Sequence, residues 1–114
     1  MNRILPYLLL IAILAGCSPL TQFEKLDEKY QQAQYEKVLN RADKLIKSNP
    51  ADPVPFYFKS MTQLFLYTQT NRHEQLELAL QNLNRTQQKR IPDYLEEHLE
   101  SLTDELLKAA SDAI

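Results

Sequence analysis

Apolar positions recur along most of the chain at helical spacing, broken by short polar stretches. Phe23, Leu26, Tyr30 and Ala33 mark a first amphipathic helix, with Thr21-Gln-Phe-Glu24 before it in the pattern of a capping box. Tyr35, Val38, Leu39, Ala42, Leu45 and Ile46 mark a second, ending near Ser48-Asn49-Pro50. Asp52 stands as an N-cap before Pro53, and a third helix is predicted over about 53–68. That helix is apolar nearly all round, with Phe56, Tyr57, Phe58, Leu64, Phe65 and Leu66, so it is expected at the centre of the fold.

Asn71-Arg-His-Glu74 reads as the cap of a fourth helix carrying Leu76, Ala79, Leu80 and Leu83 inward, which frays over the polar and basic stretch 84–90. Pro92 opens a fifth, where Leu95, Leu99, Leu102, Leu106 and Ala109 form a narrow seam. Asp93, Glu96 and Glu97 sit near its positive end. Of the 114 residues one is glycine, Gly16, and none follows it. Tight hairpins and phosphate-cradling loops both favour glycine, so an all-α domain over 21–114 is predicted and nucleotide-binding loops are excluded.

The segment before the first helix has a different pattern. Arg3 precedes an apolar run from Ile4 to Leu14, about 11 residues against the roughly 20 a membrane-spanning helix needs. A basic start, a short apolar middle and small residues at the end make a secretory signal over 1–16. Leu14-Ala15-Gly16-Cys17 closes it and resembles the bacterial lipobox. The resemblance implies cleavage between Gly16 and Cys17 and a covalent lipid on the Cys17 sulfur, with 17–20 as a lipidated tether. Acyl chains contribute about 0.8 kcal/mol per buried CH₂, and two or more make a stable anchor. Ser18 follows the cysteine where enterobacterial lipoproteins kept in the inner membrane carry Asp. By that likeness the protein is expected at the outer membrane, facing the periplasm.

The formal net charge is −2, and loss of Arg3 with the signal makes the remaining chain more acidic still. No basic patch suited to nucleic acid is present. Cys17 is the only cysteine, so no disulfide within the chain is possible and stability must come from packing.

The predicted helices pair into hairpins, and the distance from Tyr35 to His73 nearly equals that from Pro53 to Pro92. The stretch 33–50 resembles the second helix of a tetratricopeptide repeat, with Tyr35, Val38, Ala42, Leu45 and Pro50 on that family's signature positions. Phe56 and Ser60 match the aromatic and small positions of the next repeat's first helix. Ala33 departs from the usual turn glycine, and the second repeat carries about one extra turn. The likeness implies about two tetratricopeptide-like hairpins and a C-terminal helix. Among lipid-anchored proteins of this kind it is similar in role class to accessory lipoproteins of outer-membrane assembly and to pilotins.

In such arrays the first helix of each repeat lines a concave groove for peptides. The resemblance therefore makes Tyr57, Met61 and Phe65 a candidate partner-binding stripe, although the first or fifth helix could instead cover them as core. Glu96, Glu97, Glu100 and Asp104 form a second candidate surface, on the outer face of the fifth helix. His73 and His98 lack metal-ligand spacing and read as solvated helix-end residues, so no metal site is expected. Adjacent acids such as Glu96-Glu97 and Asp104-Glu105 diverge by about 100° on a helix and do not converge on one substrate. No catalytic residues and no cofactor beyond the lipid are expected, and no small-molecule substrate is evident. The sequence thus predicts a membrane-anchored periplasmic adaptor that binds another envelope protein. Two alternatives stand beside it: an anchor module of a longer repeat protein, suggested by 109–114 ending in mid-pattern, and a small envelope enzyme.

Overall fold

The computed structural model describes residues 19–114, which form five α-helices and, among the described residues, no strand. They are α1 (Pro19–Gln31), α2 (Tyr35–Ser48), α3 (Pro53–Thr70), α4 (His73–Gln87) and α5 (Asp93–Asp112). α1 and α2 form one antiparallel hairpin, α3 and α4 a second, and α5 packs against both helices of the second. α3 touches the other four helices, the central place its all-round apolar surface requires.

The ends of the helices follow local chemistry. Asp52 caps α3, its Oδ1 accepting from the Val54 N–H at 3.0 Å, and Pro53 needs no partner for its missing N–H. Ala33 has φ 59°, the left-handed conformation that glycine adopts without steric cost. The Gln34 N–H donates to the Lys29 carbonyl and the Ala33 N–H to that of Tyr30, both at 3.0 Å, a Schellman closure of α1.

Two expected caps are corrected. α1 already includes Pro19 and Leu20, so Thr21 lies within its first turns, not at its cap, and less chain separates the domain from Cys17. Asn71 does not open α4. It closes α3 in the left-handed conformation, its N–H donating to the Tyr67 carbonyl at 2.7 Å, and the N-cap of α4 is Arg72 with no side-chain bond. α4 also runs further than expected: Thr86 is buried and its hydroxyl donates to the Asn82 carbonyl at 2.7 Å, which holds the last turn.

The core is one cluster that includes Leu26, Val38, Phe58, Leu83, Leu95 and Leu106. Full burial of each such side chain contributes about 1.5–3 kcal/mol. The tight α3–α4 contact depends on small residues, with the Ser60 hydroxyl donating to the Ala79 carbonyl at 2.6 Å. Deeper in the same contact the Asn82 and Gln63 amides meet at 2.7 Å, so both buried polar groups find a partner. Lys59 bridges to Asp43 of α2 at 2.8 Å, a partly exposed pair worth about 1 kcal/mol or less.

Candidate functional site

Antiparallel order places the start of α1, the α2–α3 loop and the α4–α5 loop at one end of the bundle. Leu20, Asp52, Arg90 and Tyr94 line one concavity there. The end of α1, the end of α3 and the last turns of α5 meet at the other. Between these three a groove of about 320 Å³ opens, floored by Met61, Leu64, Phe65 and Ala109 with Tyr30 at one side. Glu105, Lys108 and Asp112 of α5 stand along its edge.

Aromatic packing shapes the groove wall. Phe65 stacks on Tyr35 with ring centroids 4.5 Å apart, and Tyr30 meets Tyr35 edge-on at 5.4 Å. These rings brace one another along the wall. Burial raises the Tyr30 phenol above its ordinary range, and Tyr35 and the negative charge of Glu105 add to the effect. The hydroxyl is therefore a neutral donor at any physiological pH.

The candidate stripe Tyr57, Met61, Phe65 is divided by the fold. Tyr57 is only 4 % exposed and belongs to the core, where its ring packs edge-on against Phe58 and parallel to Phe23. Burial drives its phenol strongly upward, so it stays protonated. Met61 and Phe65 are half-buried and line the groove. The division has a simple cause: Phe23 of α1 packs on Tyr57 and Phe58, whereas Met61 and Phe65 face the gap between Tyr30 of α1 and the last turns of α5.

The acidic candidates are also divided. Glu96, Glu100 and Asp104, four residues apart in turn, line a shallow depression with Ile91, Leu99 and Thr103. Glu97 is exposed outside it. Asp104 borders this depression while its neighbour Glu105 borders the groove, so adjacent acids do face different surfaces. The histidines are separate. His73 opens α4, exposed, with its ring 6.1 Å from that of Tyr67. His98 is exposed but lies well inside α5, not at a helix end, and its ring tilts against Phe23 at 5.2 Å. Among the described residues no group of three or more His, Cys, Asp or Glu is placed to hold a metal ion.

Tyr30, Leu64, Thr68, Glu105, Lys108 and Asp112 complete the groove, and the sequence assigned none of them to a site. Each is ordinary on its own helix, and only the approach of α5 to α3 brings them together. Gly16 and Cys17, the expected cleavage and lipid-attachment residues, lie outside the described residues.

Residues 1–18 match the family model of the prokaryotic membrane lipoprotein lipid attachment site, and Cys17 falls inside the matched stretch. No curated protein and no solved structure matches the chain. Among the described residues no helix is long and apolar enough to cross a membrane. The attachment-site match supports a membrane association through lipid: the chain reads as a lipid-anchored membrane lipoprotein.

Proposed function

We propose that the protein is an adaptor anchored through a lipid on Cys17 to the outer membrane, facing the periplasm, and that it holds another envelope protein in the groove between α1, α3 and α5. The observation that carries this reading is the groove's position and lining. It lies at the end of the bundle away from the anchor, as the lining of α5 from Glu105 to Asp112 requires. At 1.5 Å per residue those positions are about 18–28 Å beyond Asp93 along α5. An apolar floor with a few polar edge groups is the composition of a recognition cleft, and a methionine adapts its shape to an incoming side chain.

The tetratricopeptide likeness gives this reading further support. α1, α3 and α5 hold the places of first helices in successive repeats, the elements that line the concave face in that family. Ala33 takes up the left-handed turn where the family has glycine, and Ser60 lets α4 approach closely. Ser18, next to the lipid-bearing cysteine, favours the outer membrane. The reading assigns the chain no catalytic role and no cofactor apart from its lipid.

The test is photo-crosslinking in intact cells from Thr68, an exposed residue at the edge of the groove. The expected result is an adduct with one envelope protein that falls about tenfold on Met61→Glu, the effect of losing about 1.4 kcal/mol at a central contact. An adduct of equal yield from the Met61→Glu protein would overturn the groove as the binding site.

A further inference from the structure

The opposite end of the bundle carries a concavity of about 420 Å³ lined by Leu20, Ala51, Pro53, Pro92 and Tyr94, with Asp52 and Arg90 as its charged groups. Its place follows from chain length. Cys17 is three residues before Leu20, a reach of at most about 11 Å in any conformation. A lipid on Cys17 therefore brings this end of the domain to the level of the lipid headgroups.

Charge favours the same contact. Arg41, Lys44 and Lys47 lie on the last turns of α2, and Arg85, Lys89 and Arg90 at the end of α4 and just after it. Asp43 is bridged to Lys59, and the carboxylate of Asp52, the α3 cap, accepts from the Val54 N–H. Glu24, Asp93, Glu96 and Glu97 are the other exposed acids near this end. The far end holds Glu28, Glu36, Glu74, Glu77, Asp104, Glu105 and Asp112 against Lys29, Lys37, Arg72 and Lys108. Bases outnumber exposed acids at the first end and acids outnumber bases at the second, so an anionic leaflet favours the first. Tyr94, half-buried, contributes to the wall of the concavity. Tyrosine rings are enriched at the level of the lipid headgroups.

We propose that this end is a membrane-contact surface, in which the Leu20–Tyr94 concavity seats an anionic phospholipid of the anchoring leaflet with its phosphate on Arg90. The guanidinium supplies the paired donors that phosphate geometry favours. The inference rests on lipid attachment at Cys17. It makes the anchor a two-signal device, covalent chains plus a basic apolar surface, and it sets which way the groove points.

The chain has no tryptophan, so single replacements report without background. Ala51→Trp places the reporter at the concavity and Thr70→Trp at the opposite end, both at exposed positions. Each acylated full-length protein, its lipid verified by intact mass, is placed in nanodiscs of brominated phosphatidylcholine with or without phosphatidylglycerol. The expected result is severalfold stronger quenching at Ala51→Trp than at Thr70→Trp, a further rise with phosphatidylglycerol, and loss of that rise on adding Arg90→Glu. Arg90 is exposed, so helical circular dichroism should be unchanged in that variant. Equal quenching at the two positions overturns the contact surface. Quenching at Ala51→Trp that ignores phosphatidylglycerol while Arg90 is present overturns its phosphate assignment.

Discussion

The Tyr57 hydroxyl donates to the sulfur of Met61, one turn along α3, at 3.5 Å. This bond joins the core to the floor of the groove, because Tyr57 is buried while Met61 is half-exposed. The two should respond differently to substitution. Tyr57→Ala should cost about 3–5 kcal/mol, as for other buried aromatic rings, and Leu64→Ala about 2–5 kcal/mol. Met61→Ala should cost less than either and act mainly on capture through Thr68. Urea unfolding of the detergent-solubilised protein measures the first part, and comparable losses at all three sites would contradict the division of the stripe.

Ala33 offers a gain. Its φ of 59° costs a residue with a Cβ about 1–2 kcal/mol, and glycine removes that cost while losing more chain entropy on folding. Ala33→Gly should therefore stabilise the protein by about 0.5–1 kcal/mol, read as a higher urea midpoint with an unchanged slope.

Asp52 should give a pH signature. Burial holds its carboxyl above its ordinary value of 3.8, and the Val54 N–H offsets only part of that shift. The folded chain thus keeps the proton to higher pH than the unfolded chain. Its stabilising contribution is fully present below 3.8 and is lost as pH rises through the folded value. Asp52→Asn keeps a good cap and removes the titration, so the stability of wild type relative to this variant should fall as pH rises from 3 toward neutrality. Asp52→Ala loses the cap and should cost about 1 kcal/mol. Urea midpoints across that pH range check both statements.

Reversing Glu96, Glu97, Glu100 and Asp104 to lysine should leave the helical fold intact, with less than about 1 kcal/mol lost at each of the two residues near the helix start. Capture at Thr68 should also persist at low and high salt, since these acids do not line the groove. Loss of the adduct in the charge-reversed protein, or its weakening with salt, would move the docking surface to this face of α5.

Cys17→Ser should leave an unprocessed precursor without acyl mass. Intact mass spectrometry of membrane extracts reads this directly, and an acylated product from the variant would place the lipid elsewhere.

Much of the fold could be read locally. The spacing of Val38, Ala42 and Leu45, the Asp52-Pro53 start and the lack of glycine after Gly16 are sufficient for five helices and their order, because capping and amphipathic period are properties of neighbouring residues. The lipid-attachment segment was equally legible, since its basic start, apolar run and cysteine act in linear order. The ambiguous caps were legible only in part. Asn71 suits either the end of one helix or the start of the next, and the left-handed turn after Tyr67 decided for the end of α3.

The candidate site was settled by contacts between helices. The stripe from Tyr57 to Phe65 is uniform as sequence, yet one end is core and the other a groove floor, since where α1 and α5 cross α3 depends on how side chains of different helices interlock. The same packing joins Leu20 to Arg90 and Tyr94, and Tyr30 to Lys108, residues far apart in the chain. The sequence by itself determined the helices, their apolar faces and the lipid-attachment signal. Tertiary structure alone decided which faces stayed open, because exposure is a relation between surfaces that no single segment carries.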